Sequence, residues 1–301
     1  MKRHLDRTPS LVICLLGYII TFIIIFLVAP FISIDSPLLF VFILDIIATA
    51  VIFIFSVIYN NSSFYDTYWS VAPVPVMIYW VVSSDKMAVN TVRQVVILIL
   101  VILWAVRLTY NWARRWQGMQ DEDFRYVNFR NSAGRFYWVV SFLGIHMFPT
   151  MIVFLGCMAV YPALAYHSSP FGAVDVLATV VTLSAIVIET IADRQLRHFI
   201  KNPSGTFLQS GLWKYSRHPN YFGEVLFWVG LFLFSLTPVA PNLGAVVQWW
   251  TFPGPVAMIL LFLFISVPIM DKRMLRKKEG YRAYMKKTSA LVPWFRRKGN
   301  S

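Results

Sequence analysis

The sequence predicts an all-α protein built as a polytopic transmembrane helix bundle. Three observations predict it. Hydrophobic residues make up 58% of the chain and charged ones only 14%, apolar runs of spanning length recur along it, and the basic residues gather in alternate loops. A hydrocarbon core about 30 Å thick takes about 20 apolar residues in a helix to cross. Runs of that kind fall at 11–30, 37–59, 92–112, 137–161, 173–192, 222–238 and 249–270, with a shorter one at 69–83. The expectation is about 7–8 spans.

Short loops rich in Lys and Arg stay cytoplasmic. With eight spans and both the N- and C-termini cytosolic, 24 of the 27 basic residues fall on the cytosolic side: three from Lys2 to Arg7, five from Arg114 to Arg135, five from Arg194 to Arg217 and eleven from Lys272 to Lys298. That asymmetry supports 69–83 as a crossing, with a re-entrant helix as the alternative. The net charge of +13 follows from this bias and from contact with anionic headgroups, so no nucleic-acid partner is expected. Cys14 and Cys157 lie inside apolar runs, which argues against a disulfide framework. The expected setting is a multi-pass membrane protein, in the endoplasmic reticulum of a eukaryote or the inner membrane of a bacterium. Its partners are the bilayer and a lipophilic small molecule.

The first run is an uncharged anchor. The second carries Asp45 near its middle, and an ionisable residue at that depth faces a partner or a polar cavity or serves as a hydrogen-bonded structural residue. In the loop from Asn60 to Pro73, Asp66 or Ser70 is placed to cap the short helix; alternatively Asp66 and Tyr68 line the mouth of a cavity as proton donors. Arg107, Tyr110, Asn111 and Arg114 recur at spacings of three and four, so they share one helical face, expected to point into the bundle or towards its cytosolic mouth. The acidic run Asp121-Glu122-Asp123 suits three roles equally: neutralising arginines, capping a helix or holding a cofactor group. His146 reads as a packed polar residue, because the five histidines show no metal-ligand spacing; no metal is expected. Glu189, Asp193 and Arg197 lie four apart at the inner end of the run at 173–192, forming a ligand-facing wall or a salt-bridge ladder, with Lys201 beyond.

The most polar passage runs from Gly211 to Glu224. Arg217, His218, Asn220, Tyr221 and Glu224 put five hydrogen-bonding side chains into eight positions. The stretch Asp271 to Tyr284 reads as a basic amphipathic helix lying on headgroups. No Gly-x-Gly-x-x-Gly after a strand and no Walker-type Gly-Lys-Ser/Thr occurs, so a nucleotide cofactor would not sit on a Rossmann domain.

Gly-Leu-Trp-Lys-Tyr-Ser-Arg-His-Pro-Asn-Tyr-Phe-Gly-Glu at 211–224, with Asp271 to Tyr284 and Leu291-Val292-Pro293, resembles the membrane superfamily of steroid 5-alpha-reductases, sterol C14 and C7 reductases, and isoprenylcysteine and phospholipid methyltransferases. The resemblance covers about residues 185–295, and the chain looks like a branch near the 5-alpha-reductases. The methyltransferases share Arg-His-Pro-x-Tyr-x-Gly but usually lack an acid directly after the Gly, whereas the reductases carry one, as Glu224 does here. The resemblance therefore implies an oxidoreductase that uses NADPH to reduce a conjugated carbon-carbon double bond in a lipid or steroid-like substrate. It implies cofactor contacts from Glu189, Asp193, Asn220, Tyr221 and Glu224, with Arg197, Lys201, Tyr215, Arg217, His218, Asp271, Arg273 and Tyr281 around them, on the cytosolic side. Where the 5-alpha-reductases have Asn four residues before the aspartate, this chain has Glu189, while Asp271 matches the sterol reductases. Residues 1–136 then form the substrate-side membrane half and 137–301 the reductase-like domain with its basic tail. The catalytic proton donor is expected from Asp66 with Tyr68, or from Tyr110. The alternatives are an S-adenosylmethionine-dependent membrane methyltransferase and a non-enzymatic lipid-binding or transport protein.

Overall fold

A computed structural model describes residues 6–240 and 248–296; Lys2, Arg3, Arg297 and Lys298, counted above among the cytosolic charges, lie outside the described residues. Among the described residues every regular element is helical, and one isolated parallel bridge joins Ser216 to Ser289. Six helical stretches are long and apolar enough to cross a membrane: Arg7–Phe31, Pro37–Ile58, Thr91–Arg115, Phe124–Met158, Ala173–Lys201 and Trp249–Lys277. The expected run at 222–238 forms a shorter apolar helix, Pro219–Phe234, of 16 residues. The stretch at 69–83 departs from a full crossing. It forms Tyr68–Val71 and then Pro73–Ser83, and the second helix rises only about 16 Å against a core of about 30 Å.

The chain packs as two compact units. The first comprises Met1–Asp85 and Val101–Met158, the second Lys86–Leu100 and Ala159–Ser301. Residues 137–158 thus pack with the N-terminal half rather than with the C-terminal domain to which the sequence division assigned them.

In the first unit, α1 (Arg7–Val28) lies beside α2 (Pro37–Ile58). Helix α2 begins where the Ser36 hydroxyl accepts the Leu39 N–H at 3.4 Å and Pro37 occupies the first turn. Its buried face carries Asp45, Thr49, Ile52 and Ser56, at the four-three-four spacing that keeps side chains in one row. The short α3 (Pro73–Ser83) follows, then α4 (Thr91–Arg115), which starts in the second unit and ends in the first. Helix α5 (Phe124–Ala133) opens with Asp123 accepting the Arg125 N–H at 2.8 Å. Before α6 (Phe148–Met158) the chain makes a π-helical segment, Ser141–Met147. Such a segment breaks the regular hydrogen-bond ladder, and here the Ser141 carbonyl accepts His146 Nδ1–H at 2.9 Å.

In the second unit, α7 (Ala173–Lys201) and α8 (Pro219–Phe234) approach closely through small residues. A Cβ on Gly223 would strike the Glu189 side chain and come within 3.0 Å of the Ala185 carbonyl, and one on Gly230 would reach the Thr182 backbone N at 2.9 Å. Without water to drive helix association in a membrane, this close backbone packing supplies the attraction. Helix α9 (Val267–Lys277) continues the last long span, and α10 (Tyr281–Lys287) follows it. The expected continuous amphipathic tail helix is broken: Gly280 adopts φ +78° between the two, a left-handed turn that glycine makes without strain. The turn folds Tyr281 and Tyr284 inward.

Candidate functional site

The passage from Gly211 to His218 is held as a pre-formed loop by both of its neighbours. On one side, Gln195 Oε1 accepts the Leu212 N–H at 3.0 Å and the Ala192 carbonyl accepts the Trp213 indole N–H at 3.2 Å. On the other, the segment after α10 pairs with it. The Arg217 N–H donates to Ser289 O at 2.9 Å, the Ser216 hydroxyl donates to Leu291 O at 2.7 Å, and the Tyr284 hydroxyl donates to Trp213 O. Burial pushes the Tyr284 phenol up to about 12, so it stays a donor at any ordinary pH.

Asp271, only 6% exposed, is the hub of this end of the unit. Its Oδ2 accepts from Arg217 Nη2 at 2.7 Å, and its Oδ1 accepts from Arg217 Nε at 3.3 Å, His218 Nε2 at 3.0 Å and the Tyr281 hydroxyl at 2.7 Å. Arg217 also donates to the carbonyls of Thr288 at 2.7 Å and Met285 at 3.2 Å. Burial first, and then the bond to Asp271, raise the Tyr281 phenol above its ordinary value. Arg217 is therefore spent on partners inside the protein. Its role is to fix the loop. The His218 ring stacks on Tyr221, with centroids 5.2 Å apart and planes 10° from parallel, and this sets the first turn of α8.

That first turn presents Asn220 and Glu224 one turn apart. The side-chain oxygen of Asn220 is buried with no hydrogen-bond donor on it, and a buried amide oxygen left unpaired costs about 1–3 kcal/mol. The Glu224 carboxylate is buried and accepts the Trp228 indole N–H at 2.9 Å. Glu189 is buried beside Gly223, and Asp193 and Arg197 continue the same face of α7 half-buried; Lys201 and Tyr215 are exposed and Arg273 is half-buried.

The first unit holds a separate buried polar cluster. Tyr68 donates to Asp45 Oδ1 at 2.5 Å, Thr49 and Thr150 hydroxyls meet at 2.9 Å, and the Tyr65 and Thr150 hydroxyls meet at 2.8 Å. His146 adds Nε2 to the Ser56 hydroxyl at 2.9 Å. The expected pairing of Asp66 with Tyr68 is not formed. Asp66 instead accepts the Tyr126 hydroxyl at 2.7 Å and the Trp112 indole N–H at 3.3 Å, and it caps no helix. Burial, with the Asp123 charge second, raises its carboxyl to about 6. Tyr110 is 58% exposed, with Arg114 over its ring at 5.3 Å, so of the two expected directions this pair does not point into the bundle interior and lies exposed near the end of α4. The acidic run is structural: Asp123 caps α5, and Glu122 accepts the Ser62 N–H at 2.9 Å and Arg130 Nη2 at 3.0 Å.

Comparison with known proteins places the chain. A family model described as "Protein of unknown function (DUF1295)" matches residues 52–288. The chain belongs to the DUF1295 family. The matched span contains the Gly211 to Glu224 passage, Asp271 and Tyr281, and it begins after Asp45. An uncharacterised protein of Schizosaccharomyces pombe is 25% identical over 257 residues, covering 78% of this chain and 73% of the relative. No solved structure matches this DUF1295 chain.

Sequence reasoning missed one further buried cluster of this DUF1295 protein. Arg93 pairs with Asp175, Nε to Oδ1 at 2.6 Å and Nη2 to Oδ2 at 3.0 Å, and donates to the carbonyls of His167 at 2.9 Å and Ser169 at 3.2 Å. The only sequence signal was a charged residue at the end of each of two apolar runs. Burial, with Arg93 second, lowers His167 to about 4.

Proposed function

We propose that this membrane protein is an oxidoreductase that uses NADPH to reduce a conjugated carbon-carbon double bond in a lipid-soluble substrate. The observation that carries the reading is the buried, donor-less oxygen of Asn220 at the start of α8, in the motif shared with membrane reductases. It fits a ligand amide N–H, the group that a nicotinamide offers. Bound there, the dinucleotide would supply hydride. Asn220, Tyr221, Glu224 and Glu189 would hold its carboxamide end, and Arg197, Lys201 and Arg273 its phosphates, on the cytosolic side. Arg217, His218, Asp271 and Tyr281 position the loop that presents them.

Reduction of an enone builds charge on the carbonyl oxygen, which needs a positioned proton donor. Within the first unit, the Tyr68 hydroxyl bound to the buried Asp45 carboxyl at 2.5 Å is a phenol–acid pair of that chemical type.

The test is the small molecule that travels with the purified protein. Mass spectrometry is expected to find NADP(H), and Asn220→Ala and Glu224→Gln are each expected to lose it while matching the thermal midpoint of ligand-stripped wild type. Retention of S-adenosylmethionine instead would overturn the reading in favour of a methyltransferase.

A further inference from the structure

The segment after α10 carries large apolar side chains that the fold holds rigid without burying them. Val292 is 55% exposed, Trp294 68% and Phe295 79%. The Trp294 N–H donates to Tyr215 O at 3.0 Å, and the Phe295 ring meets the half-exposed Tyr215 ring edge-on at 6.4 Å. Lys214 lies over the Tyr215 ring at 5.7 Å, and Arg296 donates to Lys214 O at 3.3 Å. No Asp or Glu occurs in residues 205–218 or 281–296. The result is one aromatic and cationic face with no anion of its own. The pairing of Ser216 and Arg217 with Ser289 and Leu291 fixes its backbone. An exposed face of this composition marks an interaction site. Tyr215 also lies four residues before Pro219, where the apolar helix α8 begins, within about 14 Å of chain from an element that belongs in the bilayer.

We propose that Tyr215, Val292, Trp294 and Phe295, flanked by Lys214 and Arg296, form a docking face for the anionic phospholipid surface of the membrane. Tyr and Trp rings settle at headgroup level, and basic side chains gain from anionic lipid within a Debye length of it. A face already ordered by backbone hydrogen bonds gives up little freedom on docking. The proposal does not depend on the cofactor or the reaction.

The test uses the full chain in phosphatidylcholine vesicles with and without phosphatidylglycerol. The chain has 11 tryptophans, so Trp294 emission is taken as wild type minus Trp294→Phe. Lipid brominated near the headgroup is expected to quench that emission several-fold more than aqueous iodide does. Phosphatidylglycerol is expected to deepen the quenching, and raised salt or Lys214→Gln with Arg296→Gln to remove that gain. Emission open to iodide and untouched by brominated lipid overturns the proposal. So does emission shielded from both, the result for a covering protein, and so does loss of lipid quenching on adding pyrophosphate, which assigns the cations to a soluble phosphate.

Discussion

Replacing Asp271 by asparagine isolates what holds the Gly211 to His218 loop in place. The wild-type carboxylate accepts four hydrogen bonds from three side chains, and its main partner, Arg217, is 8% exposed. Asparagine keeps the shape, removes the charge and turns one acceptor into a donor facing other donors. The guanidinium is then left buried with the Met285 and Thr288 carbonyls. Breaking a buried pair from one side costs about 3–5 kcal/mol, which for a cooperative unit of this size is a fall of about 6–20 °C in midpoint. Scanning fluorimetry in detergent measures it. Arg217→Met combined with Asp271→Leu removes both charges and is expected to recover most of the loss, because an apolar replacement of a buried pair is often neutral. An asparagine variant within about 2 °C of wild type, the shift expected for less than 1 kcal/mol, would refute the network as the clamp on the loop.

Two further outcomes follow from the packing and the titration. Gly230→Ala and Gly223→Ala are each expected to cost about 1–3 kcal/mol by scanning fluorimetry, because each Cβ meets the facing backbone of α7, which cannot move aside, whereas Gly205→Ala, with nothing within 4 Å, is expected to be neutral. Asp66 has a folded pKa of about 6 against an ordinary 3.8, so between those values the folded chain keeps a proton that the unfolded chain has released. Its contribution to stability falls as pH rises through that window, and Asp66→Asn is expected to gain midpoint relative to wild type from about pH 4 to pH 6 and then level off.

Composition and periodicity were enough for the all-helical membrane class, since a bilayer dictates both the length and the apolar character of whatever crosses it. They were enough, too, for the chemical density of residues 211–224, which stands out against apolar surroundings. Helix ends were read less well. Pro73 opens a new first turn after Tyr68–Val71, and the helix ends at Ser83; hydropathy averaged over the stretch hides both ends.

Partners were the part that only tertiary structure decided. Asp45 was visible as a costly mid-span acid, yet nothing in the sequence pairs it with Tyr68, 23 residues away, in preference to the nearer-looking Asp66. Arg217 and Asp271, 54 residues apart, both read as ligand contacts from their motifs and prove to bind each other. The physical reason is the same in each case. A buried charge or hydroxyl takes the strongest complementary group that the packed helices bring within about 3 Å, and that choice is made in space, where sequence spacing carries no information. The passage from Gly211 to Glu224 was legible from its residues as an unusually polar stretch; that Arg217 and His218 within it are held by Asp271 was decided by the packing.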